Sequence, residues 1–268
     1  CLMTQTRIIC FTSPSCSGYE DGIYFYNPYK KLLKKFKLGY GKQEFNASYA
    51  ISSVADFGNN IIIATHNGEL VSLNGEKGWI SWDSKWMRQN GGLENQDYNI
   101  NIDRQGNFWV STEQFTFVYI QREKRWYKNV PELLRTHGIT EGVPEKMMVW
   151  DVRTDRHGWI WIATDHDGLF VVDLKNRQMR QYLNSKFDES TISDNTPKNI
   201  FIDQSGQVWI GTYKNGVNQY IEGSTNIRSL ELGDINAVSE DRHGNYWLGT
   251  NDRGIIVYDP RTGEQTQY

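Results

Sequence analysis

A motif that recurs five times constrains the fold of this 268-residue chain more than any other feature. Four of the copies place a tryptophan six residues after an aspartate, and all five end in a threonine. The copies are DFGNNIIIAT from Asp56, DRQGNFWVST from Asp103, DRHGWIWIAT from Asp155, DQSGQVWIGT from Asp203 and DRHGNYWLGT from Asp241. Successive closing threonines lie 47, 52, 48 and 38 residues apart. An internal period of this length is typical of architectures built by stacking one repeated unit.

Each unit is predicted to contain four short strands. In the last unit, alternating apolar and polar residues predict a first strand at 235–240. Aromatic and β-branched residues predict further strands at 246–250, 255–258 and 264–268, with Gly- and Asp-containing turns between them. Four strands in about 40–50 residues are the sequence sign of a β-propeller. The predicted fold class is therefore all-β, a propeller of four-stranded antiparallel blades.

The repeat predicts one propeller domain over 1–268, divided into about six units. The approximate units are 7–42, 48–88, 97–130, 147–184, 197–232 and 233–268. The chain is expected to open on a second strand at 7–12, since no D-x-x-G strand precedes it, which leaves five complete units and one incomplete unit. A seven-bladed ring at about 45 residues per blade needs about 315 residues. We therefore expect part of a seven-bladed ring or of a larger propeller region, and a complete six-bladed ring is the alternative.

Composition excludes several classes of protein. Lys plus Arg number 29 against 32 Asp plus Glu, and this net charge of −3 disfavours a nucleic-acid partner. No run approaches the ~18 consecutive apolar residues of a membrane-spanning helix. Three cysteines at positions 1, 10 and 16 form neither a disulfide framework nor a zinc pattern, so no metal or other cofactor is expected. The chain does not begin with Met, so we expect a piece of a longer protein, with a lipidated Cys1 as an alternative.

The repeated pattern resembles the two-component regulator propeller repeat, in which D-x-x-G-x-x-W-I-G-T is followed by Gly-Leu or Gly-Ile and by Tyr-Asp-Pro. The most specific pieces are WIGT at 209–212 and WLGT at 247–250, whereas the Asp56 unit has Ile61 and Ile62 where Trp would stand. Such repeats build the periplasmic sensor region of hybrid two-component systems in glycan-degrading gut bacteria. There, two seven-bladed propellers precede a β-sandwich, a membrane helix, a histidine kinase and a response regulator.

The resemblance implies a non-catalytic, periplasmic sensor segment of a membrane-anchored parent. Its expected ligand is an oligosaccharide, and its signal would pass to a kinase outside this chain. A homodimer is a possible partner arrangement. Two alternatives stay open: a scaffold that binds another protein, and a lyase resembling the streptogramin-inactivating type. The lyase would need a histidine and a carboxylate at the ring axis, for which His66 and His166 are the candidates.

Strand order predicts which loops share a face. The D-x-x-G turns and the third-to-fourth turns lie at one end of the strands, and the second-to-third loops lie at the other end with the connections between units. The second set is more varied, and binding residues concentrate in such loops. Their polar side chains suit sugar hydroxyls. The predicted ligand-binding residues are His66, Asn67, Glu113, Gln114, Asp165, His166, Asp167, Tyr213, Lys214, Asn215, Asn251, Asp252 and Arg253.

Other features have structural interpretations. The recurring Asp, Gly, Trp and Thr are expected to form turns and pack blades, because a catalytic residue is needed once rather than in every unit. His157 and His243 occupy equivalent turns and are expected to be exposed turn residues rather than metal ligands. The longest connection, 128–146, predicts a helical turn at 131–135, within a cap on the face, a contact to a second subunit or a solvated excursion. The lysine-rich run 30–37 predicts an outer edge strand, with a patch for acidic polysaccharide or a membrane surface as the alternative.

Overall fold

The computed structural model describes most of the chain after residue 50 and the strands before it. The described residues are 2–4, 7–11, 23–27, 32–36, 39–40, 43–44, 51–58, 60–65, 68, 70–74, 78–82, 84–92, 96–112, 114–188, 190–223, 227–230, 232, 234–251 and 253–268, and only the backbone is described for those before 52 and for 73–74, 78–82 and 84–85. The chain divides into two compact units. One comprises 1–102 and 106–128, and the other comprises 103–105 and 129–268.

The first compact unit contains three four-stranded antiparallel sheets and a two-stranded hairpin. Sheet 1 consists of β1 (Leu2–Thr4), β2 (Arg7–Phe11), β3 (Ile23–Asn27) and β4 (Leu32–Phe36), and the hairpin of β5 (Gly39–Tyr40) and β6 (Gln43–Glu44). Sheet 2 consists of β7 (Ile51–Phe57), β8 (Asn60–Thr65), β9 (Leu70–Asn74) and β10 (Gly78–Trp82), followed by α1 (Ser84–Gln89). Sheet 3 consists of β11 (Asn99–Ile102), β12 (Phe108–Ser111), β13 (Thr116–Ile120) and β14 (Arg125–Tyr127).

The second compact unit contains α2 (Val130–Thr136) and three further four-stranded antiparallel sheets. Sheet 4 consists of β15 (Val149–Thr154), β16 (Ile160–Thr164), β17 (Leu169–Asp173) and β18 (Gln178–Tyr182). Sheet 5 consists of β19 (Pro197–Ile202), β20 (Val208–Thr212), β21 (Val217–Tyr220) and β22 (Ile227–Leu230). Sheet 6 consists of β23 (Ile235–Glu240), β24 (Tyr246–Thr250), β25 (Ile255–Tyr258) and β26 (Gln265–Gln267). Strands pair in chain order within each sheet, so the four-stranded antiparallel prediction is confirmed.

Sheet 1 corrects one expectation. The chain does not open on a second strand, because β1 precedes β2 and pairs with it. Thr4 lies opposite Arg7, which leaves only two residues between the strands, too few for a D-x-x-G turn. A three-residue strand is also too short to show periodicity, so no sequence pattern predicts it. The lysine-rich run does contribute an edge strand, since β4 ends the sheet, while the lysine side chains lie outside the described residues.

The recurring aspartate organises the turn between the first and second strands of its sheet. One oxygen of Asp155 accepts the backbone N–H groups of His157 (2.8 Å) and Trp159 (3.0 Å). Its other oxygen accepts the indole N–H of Trp161 at 2.9 Å. The six-residue spacing between aspartate and tryptophan thus places the turn carboxylate within hydrogen-bond distance of the indole on the following strand. These residues have the structural role predicted for them.

Asp203 extends the same network to the neighbouring sheet. Its carboxylate accepts the Ser205 hydroxyl (2.6 Å), the Gln207 N–H (2.8 Å) and the Trp209 indole N–H (3.2 Å). A fourth bond comes from the Tyr246 hydroxyl of sheet 6, at 2.6 Å. Asp203 is 5% exposed, so these four donors replace the water that a buried carboxylate loses.

The longest connection begins with a packed helix, and residues 140–142 and 145–146 after it are exposed. Asn129 caps α2 by accepting the N–H of Glu132 at 2.8 Å, and a proline lies in the first turn, as predicted. Val130, Pro131, Leu133 and Leu134 are buried. Four apolar side chains removed from water stabilise this segment in the folded state.

A threonine closes each second-to-third loop of the second compact unit. Its hydroxyl donates to the carbonyl of the glycine four residues later, as in Thr164 to Gly168 (2.6 Å), Thr212 to Gly216 (2.9 Å) and Thr250 to Gly254 (2.9 Å). These glycines have φ between 70° and 78°, in the left-handed region. At Gly168, an added Cβ would also lie 2.2 Å from the Tyr182 carbonyl oxygen, so glycine is required twice over.

We expect Asp203→Asn to lower the free energy of unfolding by about 2–4 kcal/mol, because an amide cannot accept from all four donors. The measurement is urea denaturation at pH 7. Asp241→Asn is the matched control, since its Trp247 partner is 41% exposed and water can replace the lost bond. Equal losses in the two variants would contradict the role given to the buried network.

Acid should remove the difference between wild type and Asp203→Asn. Burial raises the pKa of Asp203, but hydrogen bonds from Ser205, Tyr246 and Trp209 outweigh it and leave the pKa lowered. A carboxyl whose pKa is lower in the folded state stabilises the fold at pH values above its unfolded pKa of about 3.9. This stabilisation is lost as the pH falls through the pKa of the folded state. Denaturation curves from pH 7 to pH 2.5 should therefore converge, and a constant difference would refute the assignment.

We expect Gly168→Ala to destabilise the protein more than Gly223→Ala does. Gly223 has φ +80° with no atom within 4 Å of an added Cβ, so its substitution costs about 1 kcal/mol of backbone strain. The clash at Gly168 adds about 1–3 kcal/mol. Thermal unfolding of both variants measures the difference. Equal melting temperatures would show that the backbone around residue 168 shifts to relieve the clash.

Candidate functional site

The predicted binding loops are tied to the connections that precede each sheet. The first residue of each loop donates its backbone N–H to a carbonyl seven residues before the repeated aspartate. The bonds are Asp165 to Met148 (2.9 Å), Tyr213 to Thr196 (3.0 Å) and Asn251 to Asp234 (3.2 Å). With the threonine closing the other side, each loop is held at both ends, and its variable side chains are placed by a fixed backbone.

The first strands carry a β-bulge at the same end. Pairing shifts between Val149 and Asp151 in β15, between Pro197 and Asn199 in β19, and between Ile235 and Ala237 in β23. The extra residues are Trp150, Lys198 and Asn236. A bulge turns a side chain away from the regular alternation, and bulges are frequent beside binding sites. In these sheets the bulged residues lie at the strand ends next to the loops.

Two bulged residues and one loop residue form an aromatic and cationic cluster, which we call the platform: Trp150, Lys198 and Tyr213. The Lys198 Nζ lies 3.2 Å from the centre of the Trp150 ring and 5.2 Å from the centre of the Tyr213 ring. Trp150 is 40% exposed and Tyr213 is 46% exposed. The cation holds two large rings in fixed positions while much of their surface stays open to solvent.

Acidic and imidazole groups adjoin the platform. Burial lowers the pKa of Lys198, and the negative charge of Asp165 opposes that shift. Asp165 also contacts His166, whose Nδ1 lies 2.9 Å from Oδ1. His166 has φ +69° and is highly exposed, which projects its ring beyond the loop. The structure thus brings three of the predicted residues, Asp165, His166 and Tyr213, to the platform.

Amides continue this surface towards sheet 6. The Asn199 amide donates to the backbone carbonyl of Asn236 at 2.9 Å. The Asn236 amide in turn donates to the side-chain oxygen of Asn251, a predicted residue. These side-chain amides offer hydrogen-bond donors and acceptors at the ends of neighbouring strands.

The remaining predicted residues lie elsewhere or outside the described chain. Lys214, Asn215 and Arg253 line a separate cleft of about 1060 Å³. Asp167 is half-buried and its carbonyl accepts the Gln181 amide at 2.8 Å, and Gln114 lies exposed in the first compact unit. The others, His66, Asn67, Glu113 and Asp252, lie outside the described residues.

Trp150, Lys198 and Asn236 are the site residues that sequence reasoning missed. Each lies five positions before the repeated aspartate, within the first strand of its sheet. The alternation of that strand predicts regular pairing with the second strand at this position. The sequence carries no distinct signal for them, because the positions on either side also differ among the three units.

The described part of the chain contains neither a metal-ligand cluster nor a membrane-spanning helix. No three His, Cys, Asp or Glu side chains there converge as metal ligands would. No helix among these residues combines the length and the apolar character needed to cross a membrane.

The fold is shared with known propellers. The extracellular domain of a proposed hybrid two component system from B. thetaiotaomicron superposes with a TM-score of 0.66 at 16% identity over 99% of this chain and 35% of that one. A surface component of the Porphyromonas gingivalis type-IX secretion system, PorZ, gives 0.60 at 12% identity over 99% and 41%. The WD40 propeller domain of Doa1 gives 0.61 at 8% identity over 98% and 78%. At these identities the likeness shows a common fold, an all-β propeller with four-stranded antiparallel blades.

Sequence comparison matches one segment of the chain to a family. No curated protein matches the chain. The chain spans about a third of the length of the first of these structures and two fifths of the second. The model of the two component regulator propeller matches residues 229–252, which include the Trp-Leu-Gly-Thr segment of the last unit. Residues 229–252 are therefore a two component regulator propeller repeat, and the resemblance drawn from the motifs is confirmed.

Proposed function

We propose that this chain is a ligand-sensing segment from the extracytoplasmic, periplasmic region of a hybrid two-component signalling protein. In this proposal it binds an oligosaccharide released from a glycan and performs no catalysis itself. The single observation that carries the binding role is the platform, where exposed Trp150 and Tyr213 rings flank Lys198 at the ends of neighbouring strands.

The chemistry of the platform suits a sugar. A pyranose has an apolar C–H face and a rim of hydroxyls, and an aromatic ring offers a matching flat surface. Asp165 and the Asn236–Asn251 pair supply acceptors and donors beside those rings. Because the loops are anchored at both ends, little conformational entropy is lost when a ligand binds.

The signalling role rests on the family. The matched repeat belongs to two component regulator propellers, and a structure with the same fold is the extracellular domain of a proposed hybrid two component system. We propose that the six sheets are part of a seven-bladed ring or of a larger propeller region, in a parent anchored in the inner membrane. The kinase would lie in that parent.

Signalling needs more than binding. A ligand shifts an equilibrium between two arrangements only if it binds one of them more tightly. We propose that these are two arrangements of a homodimer of the parent, and that the platform differs in accessibility between them. A ligand of equal affinity for both would bind without signalling.

We expect Trp150→Ala and Tyr213→Ala each to weaken binding of a cognate oligosaccharide about tenfold, since each removes a stacking surface. The ligand is first found by thermal-shift screening of purified chain against plant- and host-derived oligosaccharides, because a ligand of the native state raises the melting temperature. Calorimetric titration then gives the dissociation constants of the variants.

Tyr268→Ala is the matched control, because this aromatic residue is 74% exposed and its ring stacks on Trp247, whose indole bonds Asp241 in the D-x-x-G turn of sheet 6. It should bind as wild type does. An oligosaccharide that binds all three variants equally would exclude the platform as the binding site.

A further inference from the structure

A second concave surface lies along the outer strand of sheet 5. It is the cleft of about 1060 Å³ introduced above, formed between β22 and the connection 183–196. The N–H of Ile227 in β22 donates to the carbonyl of Ser190 at 2.7 Å, which joins the connection to the strand edge. The cleft is therefore a built feature, bounded by a strand on one side and a hydrogen-bonded connection on the other.

Three cations line the cleft from three different elements. Lys214 comes from the loop after β20, Arg228 from β22 and Arg253 from the loop after β24. All three are exposed. Within the part of the chain that the structure describes, no carboxylate forms an ion pair with any of them. The chain as a whole has a net charge of −3, so this concentration of positive charge runs against its composition.

Among the described residues, one carboxylate, Asp188, lines the cleft, and Asp194 adjoins it by accepting the Asn215 amide at 3.4 Å. The Asp188 carboxylate is held by its own connection. Its oxygen Oδ1 accepts both the hydroxyl (2.5 Å) and the backbone N–H (2.9 Å) of Ser190. Those bonds direct the carboxylate into its own connection. Among the described residues, three cations against two carboxylates leave the cleft with a net positive charge, and a concave protein surface concentrates the field of that charge.

The walls of the cleft are polar and already ordered. The Asn184 amide donates to the Ile192 carbonyl and the Asn215 amide to the Ser193 carbonyl, both at 2.9 Å. The Thr191 hydroxyl donates to the Leu183 carbonyl at 2.6 Å. Such a surface suits a hydroxyl-rich ligand more than an apolar one, because polar groups that lose water must gain hydrogen bonds.

The cleft adjoins the platform through consecutive residues. Tyr213 belongs to the platform and Lys214 to the cleft, with the Lys214 Nζ 5.4 Å from the Tyr213 ring centre. We propose that the cleft binds the carboxylate or sulfate groups of an acidic oligosaccharide whose sugar rings lie on the platform. This inference rests on the proposed function and narrows its ligand to anionic saccharides.

Calorimetric titration of three tetrasaccharides of equal length tests the inference. The probes are a sulfated heparin tetrasaccharide, tetragalacturonate and uncharged cellotetraose. We expect at least one charged probe to bind tenfold or more tightly than the uncharged one. Arg228→Gln and Arg253→Gln should each weaken that binding about tenfold. Raising the salt from 0.05 to 0.5 M should weaken it further, because exposed charges are screened.

Arg242→Gln is the matched control, since Arg242 is an exposed arginine in the D-x-x-G turn of sheet 6. It should leave binding unchanged. Inorganic sulfate, titrated alone, distinguishes a saccharide site from a general anion site. Sulfate binding as tight as that of the sulfated tetrasaccharide overturns the saccharide assignment.

The other outcomes separate this inference from the proposed function. If charged and uncharged probes bind equally and only Trp150→Ala weakens them, the anionic assignment is wrong and the platform stands. If Arg228→Gln weakens binding and Trp150→Ala does not, the cleft stands and the platform is wrong. If none of the three probes binds, the anionic assignment is overturned, and binding of another neutral oligosaccharide would still support the proposed function.

Discussion

The hydrogen bonds of a buried carboxylate organise the turns of sheets 4 and 5. In sheets 4 and 5 the repeated aspartate accepts donors from its own turn and from an indole on the next strand. A carboxylate has room for about four such bonds, and burial is tolerable only when they are made. Asp203 reaches that number by using the Tyr246 hydroxyl of sheet 6. The group that shapes a single turn thereby also joins two sheets.

The residues that these hydrogen bonds require determine where the chain can vary. The turn end of each strand pair is committed to the aspartate network, and the loop end is committed to a threonine and a glycine. In sheets 4 to 6 the described loop residues and the bulged residues between these fixed points are exposed or half-buried. Substitutions at such positions leave the fold intact, which is why the proposed recognition residues lie there.

The strands of the last unit were predictable because alternation and turn residues agreed. Observed bounds match the predicted ones at 235–240, 246–250 and 255–258. β1 was not predictable, since three residues show no period and its turn lacks the motif. The burial of α2 was equally hidden, because its apolar residues could be recognised but not the surface that they meet.

The candidate site was predictable in its loops and hidden in its strands. Local sequence identifies a loop, so Asp165, Tyr213 and Lys214 were accessible to reasoning from the motif. A bulge adds one residue and reverses the parity of the side chains beyond it, and simple alternation cannot show which residue is the extra one. The bulged positions of Trp150 and Lys198 are therefore visible only in the three-dimensional structure.

Two surfaces of different chemistry meet at consecutive residues of one short loop. Tyr213 lies under the Lys198 ammonium, and Lys214 opens into the cleft. The backbone between them is fixed by the Tyr213 N–H bond to Thr196 and by the Asn215 N–H bond to the Thr212 hydroxyl at 3.2 Å. Because this loop is already ordered, little conformational entropy is lost when a ligand contacts either surface. A saccharide that contacts both surfaces gains from each contact while the entropy cost of association is incurred once, so the paired surfaces favour a ligand of several sugar units over a monosaccharide.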